Sequence, residues 1–205
     1  MTRKLVLASG NEGKVAELQH LLRDCGIEII PQTALQVPEI EETGLTFVEN
    51  AILKARNACR HTRLPAIADD SGLEVDFLRG QPGIHSARFA GDNASDADNN
   101  AHLLKLLQNA DDDQRHARFQ CVLVFMRHDT DPTPVICQGT WEGRILREPR
   151  GDQGFGYDPL FWSAKAQSSA AELSRDAKAR VSHRGRAMQS LRAALLAEQH
   201  WPNPD

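Results

Sequence analysis

Two adjacent carboxylates, Asp69 and Asp70, follow a short apolar segment at residues 65–68 and precede Ser71. We expect this segment to be a strand that ends at the aspartates, because α/β sheets bind ligands at the carboxyl ends of their strands. Adjacent carboxylates repel each other, and burial raises their pKa unless a cation neutralises them. A hard divalent ion such as Mg²⁺ takes oxygen ligands of this kind. The alternative is a solvated Asp-Asp-Ser turn with only a capping role.

A second candidate is the turn Ser9-Gly10-Asn11-Glu12-Gly13-Lys14, which separates a predicted strand from a predicted helix. Such a turn leaves bare backbone N–H groups at a helix N-terminus, where the helix dipole favours a phosphate. Lys14 adds a positive charge there. The Walker A motif fails, because Ala8 stands where it needs Gly and Val15 where it needs Ser or Thr. The pattern excludes a P-loop NTPase and leaves phosphate binding and an ordinary strand–helix turn both open.

Two C-terminal segments carry groups suited to a flat ligand rich in carbonyl groups. In Gly154-Phe155-Gly156-Tyr157-Asp158, the glycines let the backbone approach such a ligand, and the Phe155 ring can stack on it. Lys178, His183 and Arg184 concentrate hydrogen-bond donors just before the last predicted helix. The alternatives are a tight loop around a core aromatic residue and a structural histidine.

The acidic segment Glu39-Ile40-Glu41-Glu42 precedes a helix that Thr46 and Glu49 are predicted to cap. This segment is either a solvated edge or the source of one more metal-binding oxygen. Lys54 lies on the same helix. From spacing alone it is an ordinary surface lysine.

The pattern of apolar residues and turns around these candidates predicts an α/β fold. Strands are predicted at residues 4–8, 28–30, 65–68, 119–126 and 134–141, and helices at 14–25, 46–59, 95–107 and 184–198. We expect one domain over residues 1–198 and a C-terminal tail over 199–205.

Composition narrows the class of protein. The chain has 205 residues and a formal net charge of -4, with 40% hydrophobic and 25% charged residues, as in one globular domain. The longest apolar run, residues 121–126, is too short to span a membrane, and the N-terminus lacks a secretory signal, so we expect a cytoplasmic protein. The four cysteines are far apart and form no C-x-x-C motif, which indicates reduced thiols. The mild acidity argues against a nucleic-acid partner.

Taken together, seven ordered motifs resemble the inosine triphosphate pyrophosphatase family, which hydrolyses non-standard purine nucleoside triphosphates. They are Ser9-Gly10-Asn11-Glu12-Gly13-Lys14, Glu41-Glu42-Thr43-Gly44, Glu49-Asn50-Ala51-Ile52-Leu53-Lys54-Ala55, Ala68-Asp69-Asp70-Ser71-Gly72-Leu73, Pro82-Gly83-Ile84-His85-Ser86-Ala87-Arg88, Phe155-Gly156-Tyr157-Asp158-Pro159 and Ser182-His183-Arg184-Gly185. The resemblance runs from residue 4 to about residue 196. Members often carry Thr in place of Ser9 and Asn in place of Ala179, and neither difference removes a functional group used below.

The resemblance implies a twisted mixed sheet flanked by helices, with two lobes around a long central cleft. It also implies a homodimer, dependence on Mg²⁺, and cleavage of the substrate to a nucleoside monophosphate and pyrophosphate. ITP, dITP and XTP are the implied substrates, and cleansing of the nucleotide pool is the implied role.

For the site, the resemblance implies that Asp70 accepts a proton and that Lys14 and Lys54 are the other catalytic residues. The implied metal ligands are Asp70, Glu41 and, less directly, Asp69. The implied substrate-binding residues are Ser9, Gly10, Asn11, Glu12, Gly13, Lys14, Ser71, Phe155, Gly156, Tyr157, Asp158, Lys178, His183 and Arg184. Within that set, the N-terminal turn and Lys54 would bind phosphates, and the C-terminal residues would hold the base.

Two alternatives remain at this point. One is a nucleotide pyrophosphatase of the Maf type that acts on modified pyrimidines, which the Phe155-Gly156-Tyr157-Asp158 and Ser182-His183-Arg184 segments fit poorly. The other is a nucleotide-binding module without turnover, against which the intact Asp70, Glu41 and Lys14 argue.

Overall fold

The protein is described by a computed structural model over residues 3–10 and 12–197, except for the side chains of Glu12, Glu17 and Asp24. The strands are β1 (Arg3–Leu7), β2 (Ile27–Pro31), β3 (Ala66–Val75), β4 (His116–Met126), β5 (Val135–Ile145), β6 (Phe161–Ser163) and β7 (Ser168–Ser169). The α-helices are α1 (Glu12–Leu22), α2 (Phe47–Thr62), α3 (Asp96–Leu106), α4 (Arg175–Val181) and α5 (His183–Leu196). Short 3₁₀ turns join several of these elements.

The strands form one mixed sheet in the order β2-β1-β3-β4-β5-β6-β7. β1 pairs in parallel with both β2 and β3, whereas β6 pairs antiparallel with β5 and β7. This confirms the predicted α/β fold with a mixed sheet flanked by helices. The implied lobes and central cleft stay a prediction. Among the residues that the structure describes, no helix is both long and apolar enough to cross a membrane.

The chain divides into two compact units, and the boundary between them falls within β3, β4 and β5. The first unit comprises Met1–Asp70, Val122–Gln138 and Ala187–Asp205, and the second comprises Ser71–Cys121 and Gly139–Arg186. The predicted single domain over residues 1–198 stays a prediction. The predicted tail, like Glu198 at the end of the last predicted helix, lies outside the described residues.

In the first unit, the core forms where α2 packs against the sheet. Ala51, Ala55 and Ala58 recur at helical spacing and are fully buried, so they face the strands with a flat surface of small side chains. They belong to one cluster with Val6 of β1 and Val124 of β4. Because the methyl groups take little room, the helix backbone can approach the sheet closely and carry its longer polar side chains to a strand.

In the second unit, the core is aromatic. The ring of Phe161 is fully buried and lies 4.6 Å from the Phe119 ring and 5.0 Å from the Trp141 ring, measured between centroids. The Trp141 indole donates a hydrogen bond to Ser163 Oγ at 3.2 Å, so its buried N–H is satisfied.

The prediction that strand β3 ends at Asp69 was wrong. β3 continues through both aspartates and Ser71-Gly72 to Val75 and is buried along most of its length. A buried strand accepts these carboxylates because lysines from the flanking helices pair with them, as described below.

The ends of several other elements also differ from the prediction. β6, β7 and the short α4 were not predicted, because none is long enough to show a periodic apolar pattern. The predicted starts of α2 and α3 are confirmed, since Thr46 accepts a hydrogen bond from the Glu49 N–H and Ser95 forms a capping box with Asp98. The four cysteines are thiols, as predicted, and burial raises the pKa of Cys59 to about 12.

Candidate active site

The first unit brings two acidic residues of β3 against lysines from two different helices. Lys14 Nζ of α1 lies 2.9 Å from both carboxylate oxygens of Asp69. Lys54 Nζ of α2 lies 3.0 Å from Asp70 Oδ1 and 2.8 Å from Glu42 Oε1. Successive side chains of a strand point to opposite faces, which explains why the two aspartates meet different lysines. We call these five residues the carboxylate–lysine cluster.

Local structure before α2 fixes Glu42 and Lys54. The Gly44 N–H donates to the buried Asn50 side chain at 2.8 Å, which ties the Glu41-Glu42-Thr43-Gly44 segment to the first turns of α2. A Cβ at Gly44 would lie only 2.6 Å from Asn50 Oδ1, so this close approach needs glycine. Lys54 follows Asn50 by four residues and therefore lies on the same face of the helix.

Burial sets the electrostatics of this cluster. Asp70 is 8% exposed, and its burial raises its pKa above the ordinary value despite the attraction of the Lys54 ammonium. Burial alone would lower the pKa of Lys54, but Asp70, Asp69 and Glu42 outweigh it, so the pKa is raised and Lys54 stays charged. Three carboxylates face two ammonium groups, which leaves one net negative charge.

The oxygen Asp70 Oδ2 is buried and has no hydrogen-bond partner in the described part of the chain. A buried carboxylate oxygen without a donor favours a cation beside it. No three His, Cys, Asp or Glu side chains of the described residues converge on one metal position. Mg²⁺ commonly takes only one or two protein carboxylates and completes its shell with waters and substrate phosphates. The residues present therefore fit a magnesium ion that arrives with a phosphate ligand.

A pocket of about 250 Å³ opens beside this cluster. Ser9 and Gly10 line it together with Lys14, Lys54 and Asp69. Backbone and hydroxyl donors thus lie at the same pocket as two ammonium groups, which suits a polyphosphate.

Not every predicted residue of the first unit can be placed in this pocket. Gly13 lies in the first turn of α1, next to Lys14. Asn11 and the Glu12 side chain fall outside the described part of the chain. Glu41 is exposed, and it is the adjacent Glu42 that contacts Lys54. Both glutamates stand in one motif, and no local pattern in the sequence shows which of them contacts Lys54.

In the second unit, a buried carboxylate organises the glycine loop that carries Phe155. Asp158 is 2% exposed, and its Oδ2 accepts a hydrogen bond from the Phe155 N–H at 2.9 Å and an ion pair from Lys178. A Cβ at Gly154 would lie 2.1 Å from the same oxygen, and Gly154 also has φ +81°, so the loop requires glycine there. Asp158 therefore holds Phe155 and Lys178 in place.

The Phe155 ring is 57% exposed, and two cations flank it. Lys178 Nζ lies 5.1 Å from the ring centroid and the Arg184 guanidinium carbon lies 5.8 Å from it. Arg184 Nη2 also donates to Ser71 Oγ at 3.1 Å. An exposed ring with cationic donors close to it is a platform on which an aromatic base can stack while its carbonyl groups meet the donors.

His183 and Tyr157 are more deeply placed. His183 begins α5, is 7% exposed and stacks on Phe119 with 4.7 Å between ring centroids. The Tyr157 hydroxyl donates to the Ser86 carbonyl oxygen at 2.9 Å, and burial raises its pKa. The side chain of Tyr157 is thus a core residue, and the substrate contact predicted for it stays a prediction.

Two residues that hold the Phe155 loop were missed by the sequence analysis. Asp96 accepts a hydrogen bond from the Gly156 N–H, and Asn100 donates one to the Gly156 carbonyl oxygen. Both belong to α3, and neither stands in a motif that the sequence analysis singled out.

The fold and the two clusters define an α/β protein equipped to bind a phosphorylated ligand and a flat base. Comparison with known proteins makes this specific: the chain belongs to the Ham1 family, whose model matches residues 5–194. The family predicted from the motifs is thereby confirmed.

Individual relatives are similar over nearly the whole chain. The chain is 56% identical over 193 residues to a dITP/XTP pyrophosphatase of Vibrio cholerae, covering 94% of this chain and 96% of that protein. It is 57% identical over 193 residues to a dITP/XTP pyrophosphatase of Escherichia coli strain K12, covering 94% and 98%. Among solved structures, a HAM1 protein from Coxiella burnetii matches with a TM-score of 0.91 at 53% identity, covering 94% of this chain and 98% of that one.

Proposed function

We propose that this protein hydrolyses non-canonical purine nucleoside triphosphates, namely ITP, dITP and XTP, to nucleoside monophosphate and pyrophosphate, and so cleanses the nucleotide pool. The observation that carries the proposal is the carboxylate–lysine cluster, in which a buried carboxylate and two ammonium groups lie at a pocket lined by Ser9 and Gly10. The dITP/XTP pyrophosphatase relatives support the choice of substrate. They do not favour a Maf-type activity or a module without turnover.

The triphosphate is assigned to the first unit. Its oxygens accept hydrogen bonds from the turn Ser9-Gly10-Asn11-Glu12-Gly13-Lys14, and the ammonium groups of Lys14 and Lys54 neutralise its charge. Lys54 has a raised pKa and therefore carries its charge throughout the neutral pH range. Both lysines stabilise the negative charge that develops on the phosphate oxygens during hydrolysis.

Mg²⁺ is the proposed cofactor, and Asp70, Glu41 and Asp69 are the proposed residues around it. Asp70 Oδ2 is the buried oxygen that fits a cation best. When bound, the ion would neutralise phosphate charge and polarise the phosphoryl group that water attacks.

Asp70 is the proposed general base, because its carboxylate is buried against Lys54, which lines the pocket, and its pKa is raised by that burial. A carboxylate with a raised pKa is a stronger proton acceptor than one in water. Lys54 holds Asp70 through Oδ1, and Oδ2 has no hydrogen-bond partner among the described residues. Asp70 thus takes the proton of the attacking water.

The base is assigned to Phe155, Lys178, His183 and Arg184, with Ser71 and the backbone of Gly156-Tyr157-Asp158 beside them. Hypoxanthine and xanthine present a 6-carbonyl acceptor, whereas adenine presents a 6-amino donor. Lys178 and Arg184 have only donors, so they pair with the carbonyl and leave the amino group of adenine unpaired. A buried mismatch of this kind gives rejection by as much as roughly 10⁴-fold.

The protein is proposed to work in the cytoplasm as a homodimer, without a nucleic-acid or membrane partner.

The proposed function is tested by a panel of ITP, dITP, XTP, ATP and GTP, each incubated with Mg²⁺ or with EDTA, and with product identification. We expect hydrolysis of the first three only, with Mg²⁺, to monophosphate and pyrophosphate. Comparable turnover of ATP, orthophosphate as the main product, or full activity in EDTA would contradict the corresponding part of the proposal.

A further inference from the structure

Three sets of contacts hold the loop Gly154-Phe155-Gly156-Tyr157-Asp158: hydrogen bonds within it, the contacts of Tyr157 with Ser86 and of Asp158 with Lys178, and hydrogen bonds from α3 to Gly156. The first set is internal, since Asp158 accepts the Phe155 N–H and the Asp158 N–H returns to the Phe155 carbonyl oxygen at 3.3 Å. Contacts within a loop fix its shape. They do not fix where the loop lies on the unit that carries it.

The hydrogen bonds from α3 hold the backbone of Gly156 at both its N–H and its carbonyl oxygen. Asp96 Oδ2 accepts a hydrogen bond from the Gly156 N–H at 2.6 Å, and Asn100 Nδ2 donates one to the Gly156 carbonyl oxygen at 2.8 Å. Asp96 and Asn100 are four residues apart and therefore share a face of the helix. Asn100 Nδ2 also donates to the Asp96 carbonyl oxygen at 2.8 Å, which fixes the amide on that face.

These contacts fix the orientation of the Asn100 amide. Both atoms that face the Asn100 amide are carbonyl oxygens, so the nitrogen and not the oxygen must point at them. The Asp96 carboxylate forms a charge-assisted bond, which is stronger than a neutral one. It also lies close enough to Tyr157 to add to the effect of burial in raising the pKa of that hydroxyl.

We propose that Asp96 and Asn100 are positioning residues for base recognition, which hold Gly156 so that the Phe155 ring stays beside Lys178 and Arg184. The inference rests on the proposed base-binding role of Phe155 and adds to it two residues that touch no part of the substrate. Phe155 directly precedes Gly156 in the chain. Loss of the two hydrogen bonds at Gly156 should therefore also displace the Phe155 ring.

The expected effect follows from what is displaced. A misplacement of about 1 Å in a positioned group costs on the order of 10²-fold in an enzyme reaction. The carboxylate–lysine cluster is built on β3, α1, α2 and the segment before α2 that carries Glu42, and not on α3. Loss of the two hydrogen bonds from α3 should therefore weaken the binding of the base and leave the binding of phosphate unchanged.

The experiment compares variants of α3 in the full chain. Asp96→Ala removes the acceptor, Asp96→Asn keeps an accepting oxygen, and Asn100→Asp sets a carboxylate against two carbonyl oxygens. Asp98→Ala is the matched control, because Asp98 bonds to Ser95 at the same helix end. We measure kcat and KM for ITP, and the inhibition constant of inorganic tripolyphosphate, which has no base.

We expect Asp96→Ala and Asn100→Asp to raise the KM for ITP by about tenfold to hundredfold, with the inhibition constant of tripolyphosphate unchanged. Asp96→Asn and Asp98→Ala should stay close to wild type. An equal rise in the KM of all variants would show that helix stability is responsible, and an unchanged KM in Asp96→Ala would also overturn the proposal. Comparing Asp96→Ala with Asp96→Asn carries the test even where Asn100→Asp does not fold.

Amide hydrogen exchange of the segment that contains Gly156 provides a readout independent of activity. Exchange should accelerate in Asp96→Ala and stay at the wild-type rate in Asp98→Ala. An unchanged exchange rate in Asp96→Ala would refute the positioning role of Asp96. If the wild-type protein does not hydrolyse ITP but the exchange rates change as expected, the proposed function is wrong and the positioning of Gly156 by α3 is supported. The two failures can therefore be told apart.

Discussion

Substitution of Asp70 by Asn separates catalysis from binding at the carboxylate–lysine cluster. The amide keeps the shape of the carboxylate, and its Oδ1 can still accept the hydrogen bond that Lys54 Nζ makes at 3.0 Å. Lys54 also keeps its contact with Glu42 at 2.8 Å, so it does not become a buried charge without a counterion. We therefore expect the variant to fold.

The magnitude follows from what the amide cannot do. It accepts no proton, and loss of a general base costs roughly 10²–10⁴-fold in kcat. On stability, the amide Nδ2 takes the place of an oxygen that has no partner, so a buried donor is left unpaired at about 1–3 kcal/mol. Removal of a buried negative charge, whose burial is unfavourable enough to raise its pKa, offsets part of that loss.

The assay measures kcat and KM for dITP at saturating Mg²⁺, beside thermal unfolding. Asp69→Asn is the comparison variant, because Asp69 forms its ion pair with Lys14 of α1. We expect it to change KM more than kcat, whereas Asp70→Asn should change kcat far more than KM. A folded Asp70→Asn variant with near-normal kcat would show that Asp70 is not the base, and Asp69 or Glu41 would then be tested.

Three further predictions concern selectivity and stability. Arg184→Ala should lose most of the preference for ITP over ATP in kcat/KM, whereas an equal loss on ITP, XTP, ATP and GTP would show that Arg184 binds phosphate. Hydrogen bonds from Arg127 hold the pKa of the buried Asp131 below its ordinary value, so its contribution to stability is complete above about pH 4 and lost as the pH falls towards the folded-state pKa. Asp131→Asn should therefore lower the urea midpoint more at pH 7 than at pH 3, and equal losses at both would contradict the linkage. Phe161→Ala should destabilise the protein by about 3–5 kcal/mol in urea unfolding, because the ring is fully buried.

What could be predicted from the sequence was mostly local. The caps at Thr46 and Ser95 involve residues three apart, and the structure forms both. The turn that begins at Ser9 leads from β1 into α1, as a glycine turn between an apolar strand and an amphipathic helix predicts. These features follow from interactions within one or two turns of chain, which a sequence displays directly.

The features that escaped prediction depend on partners far apart in the chain. Asp69 lies inside a strand because Lys14, 55 residues earlier, pairs with it, and no local pattern identifies that lysine as its partner. Asp96 meets Gly156 across 60 residues. Predicting such contacts requires the packing of the elements, whereas the residue types at the site followed from the motifs alone.

The central claim is that water, activated at Asp70, attacks the α-phosphorus and releases pyrophosphate. Hydrolysis of ITP in ¹⁸O-labelled water, followed by mass spectrometry of both products, tests it most directly. We expect one ¹⁸O atom to enter the nucleoside monophosphate and none to enter pyrophosphate. Label in pyrophosphate, or release of orthophosphate as the main product, would contradict it.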